Sequence, residues 1–261
     1  MKRITSTQNS YIKLLISLKE KAKVRQREGL FLIEGKKELS LAFQGGYEIK
    51  KILFCPEICS ENEINKIVSN VELIHITKEI FKKLAYRDNS GGLIGIAKSK
   101  DLDLSSLKLS DNPLVLVAEA IEKPGNIGAL LRTADAADID AVIIANPKGD
   151  LYNPNIIRSS IGCLFTTRIA TGSNKEIISF LKKNKLTIYC ASLQNSSYYH
   201  ISDYTASTAF VVGSEAFGLS KEWVEAADNH IVIPMQGKID SMNVSVSAGI
   251  LIFEAKRQRG F

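Results

Sequence analysis

The chain has 261 residues, room for one large domain or two modest ones. Hydrophobic residues make up 45% and charged residues 24%, the balance of a globular protein rather than a disordered one. No apolar run approaches the roughly 18 residues that would span a bilayer. The net charge of +6 is concentrated: residues 1–50 carry 11 Lys/Arg against 5 Asp/Glu, and the remaining 211 residues carry 23 of each. A localised basic surface suits a polyanion binder, and a solvated basic helix face accounts for it equally well at this point.

The N-terminus MKRITSTQNSY has neither an apolar core nor a small-residue cleavage site, so no signal peptide is expected and the location is read as cytoplasmic. Of the four cysteines only Cys55 and Cys59 are close in sequence, and His75, His200 and His230 are scattered. That is no zinc spacing; buried, reduced cysteines and no metal site are expected.

Taken in order, Asn9–Arg27 reads as one helix, capped by Asn9 or Ser10 and stopped by Gly29. Its polar side would display Lys13, Lys19, Lys21, Lys23, Arg25 and Arg27. A strand at Leu30–Ile33 follows, then a helix at Glu34–Gln44, a strand at Lys51–Phe54 and a helix at Glu61–Ser69. A strand at Val71–Ile76, a helix at Lys78–Ala85 and a strand at Leu93–Ala97 complete a small α/β sandwich over residues 1–100. Residues 101–112, rich in Ser and Asp, read as a linker. From 113 to 261 short apolar strands alternate with helices: strands at Leu114–Ala118, Ala141–Ala145, Leu186–Ala191, Phe210–Gly213 and Ile231–Ile233, helices at Ile127–Asp138, Pro154–Gly162, Lys175–Asn184, Lys221–Asp228 and Val244–Gln258. This pattern predicts a parallel sheet covered on both faces.

Ligands of such sheets sit at the carboxyl ends of strands. Three segments there are rich in Gly, Asn and Ser. In the first, Glu122–Asp135, Pro124-Gly125 makes a turn, Asn126 stands at the expected helix N-cap, and Ile127, Leu130, Leu131 and Ala134 form the buried stripe. Arg132 lies off that stripe, free either to face the strand end or to pair with Asp135 on the surface. In the second, Phe210–Ser220, an apolar strand runs into Gly213, followed by Glu215, Gly218 and the cap candidate Ser220; its glycines fit neither a dinucleotide fingerprint nor a phosphate loop. In the third, Ile231–Ser247, Pro234 ends a strand, Gln236–Ser241 offers backbone groups suited to an adenine edge, and Asn243 opens the last helix.

Together these segments, PGNIGALLRTADAADIDAVII, VVGSEAFGLS and IPMQGKIDSMNVSVSAGILIFE, resemble the SpoU/TrmH family of the SPOUT class, trefoil-knotted RNA 2′-O-ribose methyltransferases. The resemblance covers residues 114–258. Residues 1–100 are similar, more loosely and through FLIEGKKEL and GGLIGIA, to the family's N-terminal RNA-binding domain, itself like small ribosomal proteins. The resemblance implies a knotted parallel-sheet domain, a homodimer and S-adenosyl-L-methionine as methyl donor. It implies that Gly213, Ile233 and Met242 hold the donor, with Ala191 as a further candidate. It implies Arg132 as the residue that activates or steadies the ribose hydroxyl, Asn126 and Glu215 as groups orienting it, and Ser241 and Asn243 as lining of the pocket. The N-terminal domain favours large-subunit ribosomal RNA over transfer RNA as substrate. An RNA-binding protein with an inactive site is the alternative from another class, and it would bind RNA without transferring a methyl group.

Overall fold

The computed structural model describes residues 2–86, 91–193, 196–214, 217–238 and 241–261. The first half runs β1 (Lys2–Ile4), α1 (Ser10–Glu20), α2 (Ala22–Glu28), β2 (Leu30–Glu34), α3 (Lys36–Gln44), β3 (Ile49–Phe54), α4 (Glu61–Asn65), β4 (Glu72–Ile76), α5 (Lys78–Leu84) and β5 (Leu93–Lys98). The second half runs β6 (Leu114–Glu119), α6 (Pro124–Ala136), β7 (Ala141–Ala145), α7 (Pro154–Ser159), β8 (Ile169–Gly172), α8 (Asn174–Lys183), β9 (Thr187–Ala191), β10 (Ser197–Tyr198), β11 (Thr208–Val212), α9 (Lys221–Ala226), β12 (Asn229–Val232) and α10 (Val244–Arg259). No helix among the described residues is long and apolar enough to cross a membrane.

The chain forms two compact units: residues 1–101 with 149–166, and residues 102–148 with 167–261. Two features differ from the sequence expectation. Residues 149–166, read as part of the second alternation, belong to the first unit. Residues 102–112, read as linker, belong to the second, where Asp103 bridges Thr171 and the Leu102 carbonyl accepts from the Thr171 N–H.

The first unit is built on a mixed sheet in the order β1-β4-β3-β5-β2. β1, β4 and β3 run parallel, and β5 is antiparallel to both β3 and β2. Ile12, Leu15 and Leu18 of α1 pack with Leu32, Leu53, Ile74 and Ile96 from the strands and with Ile80, Phe81 and Leu84 of α5. Phe31 stacks on Tyr152, their ring centroids 4.4 Å apart, with Phe165 on a similar tilt 5.9 Å away. The backbone of Phe165 passes so near Gly45 that a β-carbon there would sit 2.1 Å from the Phe165 carbonyl oxygen.

The predicted helix over Asn9–Arg27 is two helices. Lys21 is extended between them, with φ −117° and ψ 112°. The break turns Arg25 inward to 4% exposure. Its guanidinium donates to the Leu18 and Lys19 carbonyls, which the end of α1 leaves without helical partners, and forms a two-nitrogen ion pair with Asp150. Burying that pair outweighs the continuity of one long helix, because Asp150 and two carbonyls are satisfied at once. Lys19 is likewise structural, donating to the Lys83 and Ala85 carbonyls at the end of α5. Of the predicted basic face, Lys13, Lys21, Lys23 and Arg27 stay exposed, joined by Lys2 and Arg3.

The second unit is an all-parallel seven-stranded sheet in the order β10-β12-β9-β11-β6-β7-β8. Strands β8 and β10, four and two residues long, lay below the sequence signal. Alternation along β6 sends Val115 and Val117 to one face, where Ile177, Leu181 and Trp223 from α8 and α9 close a core with Ile143, Ile188 and Val211. Helix α10 packs against α6 and β11. The far end of α10 is pinned rather than frayed. Arg259 donates to the carbonyls of Tyr204, Ala206, Asn112 and Pro113, and Arg257 pairs with Glu254. All four cysteines are free and buried. Burial, with Glu119 and Asp228 nearby, pushes the Cys190 thiol up to about 12, which keeps it protonated and unreactive.

Candidate functional site

The strand order fixes where a site can form. From β6 the chain moves outward through β7 and β8, then returns to the other side of β6 to lay down β9, β11 and β12. A reversal of this kind opens a crevice at the carboxyl ends of the central strands. Ala191 ends β9, Gly213 follows β11 and Ile233 follows β12, so three of the predicted donor-binding residues stand at the same end of three neighbouring strands. Met242 is half-buried just before α10.

The first and third segments meet directly. Asn243 Nδ2 donates to Asn126 Oδ1 at 3.1 Å, across 117 residues of sequence. Asn243 is also the N-cap of α10, its Oδ1 accepting from the Ser245 N–H and hydroxyl. Asn126 does not cap α6, contrary to the sequence reading. The helix begins two residues earlier, with Lys123 at the cap and Pro124 in its first turn, because proline's fixed φ suits that position and it has no N–H to satisfy. That shift places Asn126 inside the first turn, where its side chain can reach another element instead of its own backbone.

Arg132 is exposed on α6 and forms no ion pair or hydrogen bond among the described residues. A charged head without a partner is able to take an external anion. Thr133, its neighbour, faces α10: a β-carbon on Gly249 would lie 3.7 Å from the Thr133 methyl. Ser241 is exposed. Glu215 lies outside the described residues.

Gly213 has a different reason for being glycine than ligand approach alone. A β-carbon there would lie 2.2 Å from both the carbonyl carbon and oxygen of Gly218 and 2.6 Å from the Leu219 nitrogen. The loop after β11 therefore folds back onto Gly213 itself. Gly218 has φ +65°, its N–H donates to the Ser214 carbonyl, and the Phe217 N–H donates to the Ser214 hydroxyl.

A buried polar network, unread in the sequence, anchors the far side of this loop. Glu119, 4% exposed at the end of β6, accepts from the Ser220 N–H at 2.8 Å and from Asn174 Nδ2 at 2.6 Å. Asn174 Oδ1 accepts from the Trp223 indole, and Asn174 Nδ2 also reaches the Ser220 hydroxyl. Ser220 thus stands at the N-cap position of α9 without capping it through its side chain. The one sequence signal was a carboxylate closing the otherwise apolar run LVLVAE; Asn174, 55 residues away, gave none. Because Glu119 only accepts in this network, Glu119→Gln turns an N–H donor toward one of two donors and should cost about 1–3 kcal/mol. Adding Asn174→Asp restores a donor–acceptor match and should recover most of the loss in denaturant titration; no recovery would mean the network is not what holds the loop.

The third segment follows β12 at the carboxyl edge of the sheet. Among the described residues from Pro234 to Met242, no N–H or carbonyl enters a backbone–backbone hydrogen bond outside the sheet. Such a stretch at the sheet's carboxyl edge fits the edge of a purine, which needs one donor and one acceptor. The residues present therefore fit a nucleoside-bearing methyl donor.

Comparisons with known proteins point to one family. Residues 113–253 match the SpoU rRNA Methylase family, and residues 9–95 match the MRM3-like substrate binding domain. The chain is 27% identical to the 23S rRNA (guanosine(2553)-2′-O)-methyltransferase RlmP of Bacillus subtilis (strain 168), covering 98% of this chain and 100% of that one. Among solved structures, an RNA 2′-O ribose methyltransferase is 39% identical with a TM-score of 0.86, covering 99% of this chain and 100% of the other. The AdoMet-bound rRNA methyltransferase of Sinorhizobium meliloti is 26% identical with a TM-score of 0.90, covering 98% and 97%. With all seven strands of the second sheet and the three loops at its carboxyl edge inside the matched region, the chain belongs to the SpoU rRNA methylase family.

Proposed function

We propose that this enzyme methylates a ribose 2′-hydroxyl of large-subunit ribosomal RNA, with S-adenosyl-L-methionine as donor. The observation that carries the reading is the Asn243–Asn126 hydrogen bond, which joins the first and third segments at the edge where Ala191, Gly213 and Ile233 end their strands. The relatives' names support the substrate class, RlmP being named for 23S rRNA.

When bound, the donor supplies a methyl group on a sulfonium, which departs as a neutral thioether. Transfer to the ribose oxygen would leave the electron pair on sulfur, so what the chain has to provide is an acceptor for the hydroxyl proton and support for the developing negative oxygen. Gly213, Ile233, Met242 and Ala191 hold the donor through backbone groups and contact. Arg132 binds the RNA phosphate next to the reacting ribose and stabilises the developing negative oxygen. Guanidinium groups are poor bases, so the proton goes to water or to a carboxylate, for which Glu215 is the candidate. Asn126 and Asn243, bonded to each other, set the pocket wall with Ser241. Holding the ribose oxygen in line with the methyl group, about 3 Å from it, would be the main contribution these groups make.

The same reading extends to a knotted chain, a homodimer and work on ribosomal RNA in the cytoplasm. Support for the knot comes from α10, which is tied to Asn126 at its start and held by carbonyls ahead of β6 and β11 at its end. Support for a second copy comes from the exposed Val246, Phe253 and Phe261 on and beyond that helix. The exposed N-terminal lysines and arginines suit phosphate contacts that add affinity without sequence.

The test is mass spectrometry of ribose-methylated nucleotides from cells with and without the gene. One 2′-O-methyl nucleotide should vanish from large-subunit rRNA. Loss from transfer RNA alone would reassign the substrate, and no loss from any RNA would overturn the activity.

A further inference from the structure

Among the described residues Phe217 is the most exposed of the large apolar side chains, at 85%. Free aromatic surface of this size is unfavourable in water by roughly 25 cal/mol per Å². The described residues around it are nonetheless hydrogen-bonded in place. The Phe217 N–H is bonded to the Ser214 hydroxyl, Gly218 is bonded to Ser214 and rests against Gly213, and Ser220 is tied to the buried Glu119. A ring held out into solvent from residues bonded in this way is suited to meet something outside the chain. One residue away, Gly218 touches Gly213, so the ring stands next to the edge assigned to the methyl donor. Four residues on, Lys221 extends with its side chain 86% exposed, in an open i,i+4 ion pair with Glu225 at 3.4 Å. Exposed pairs of that kind hold little energy and yield readily to a phosphate.

We propose that Phe217 is a stacking platform for an unpaired RNA base beside the methylated ribose, with Lys221 meeting the adjoining phosphate. The inference rests on the RNA-methyltransferase reading and adds a substrate contact to it. A ribose hydroxyl is best presented from a splayed nucleotide, and splayed bases are held by aromatic faces. A second copy of the chain is the less suitable occupant. Phe217 is followed by Gly218 and, four and five residues on, by the charged Lys221 and Glu222, whereas α10 offers the contiguous apolar surface, with Phe253 and Phe261 rings 6.3 Å apart.

The test uses the full chain with two probes, a fluorescent single-stranded RNA dodecamer and an unmodified large-subunit rRNA transcript. Phe217→Ala and Phe217→Leu should each weaken RNA binding about 10-fold or more, and Phe217→Trp should restore it, because stacking needs a π-face and not just apolar bulk. Donor affinity by calorimetry and mass by light scattering should not change. Lys221→Gln should lower the slope of log affinity against log salt by about one. Wild-type RNA affinity in Phe217→Ala, full affinity in Phe217→Leu, or a change of mass on removing the ring would each overturn the proposal. The readout is affinity, not turnover. A chain that lost RNA affinity in Phe217→Ala but methylated no RNA would support stacking and defeat only the activity.

Discussion

Replacing Arg132 by alanine is expected to lower methyl transfer by at least about 100-fold while leaving donor affinity and thermal stability nearly unchanged. The side chain is exposed and partnerless among the described residues, so its removal breaks nothing in the fold. The loss should fall on the transition state, where negative charge grows on the ribose oxygen; losing one such stabilising group costs about 3–4 kcal/mol of barrier in comparable sites. Arg132→Lys separates the roles. Lysine keeps the charge and loses the planar fork, so it should retain phosphate attraction but only part of the rate. Single-turnover measurement with donor saturating would read this. Unchanged turnover in Arg132→Ala would remove this residue from the mechanism.

Replacing Gly213 by valine is expected to abolish donor binding in calorimetry. The physical cause is the chain itself. Even the first added carbon would lie 2.2 Å from the Gly218 backbone, so the loop must open before any ligand is considered. Gly213→Ala should therefore already fail to bind donor well, and both variants should be destabilised by about 1–3 kcal/mol, the usual cost of forcing bulk into a packed place. A steric block at the ligand alone predicts something else, lost binding with stability intact. Wild-type donor affinity in Gly213→Ala would show that the loop's closure on Gly213 is not needed for the site.

These two residues show how unevenly the site could be read from the chain. The i, i+3, i+4, i+7 apolar stripe of α6 placed Arg132 off the buried face, a local pattern, while the role proposed for it came from the resemblance of the matched segments. Gly213 was identifiable as a special glycine at a strand end, but its reason was not, since the atom it must avoid belongs to a residue whose position depends on the loop's return. Asn126 carried a local expectation, a helix cap, that proline two residues earlier displaced. Its actual partner, Asn243, is far away in sequence and left no local trace.

What the sequence by itself determined was everything governed by short-range periodicity and by the matched segments. The parallel α/β second unit, the start of α10 at Asn243, the buried cysteines and family membership all follow from patterns spanning a few residues to a few tens. What only the tertiary structure decided was every feature whose energy comes from partners distant along the chain. The Arg25–Asp150 pair broke one predicted helix into two and withdrew a cation from the basic face. Residues 149–166 joined the first unit because the Phe31, Tyr47, Tyr152 and Phe165 rings pack together. Glu119, Asn174 and Ser220 met across more than a hundred residues. Local propensity ranks conformations by tenths of a kcal/mol per residue, and a buried charge or carboxylate left without partners costs several, so the distant partner prevails wherever the two conflict.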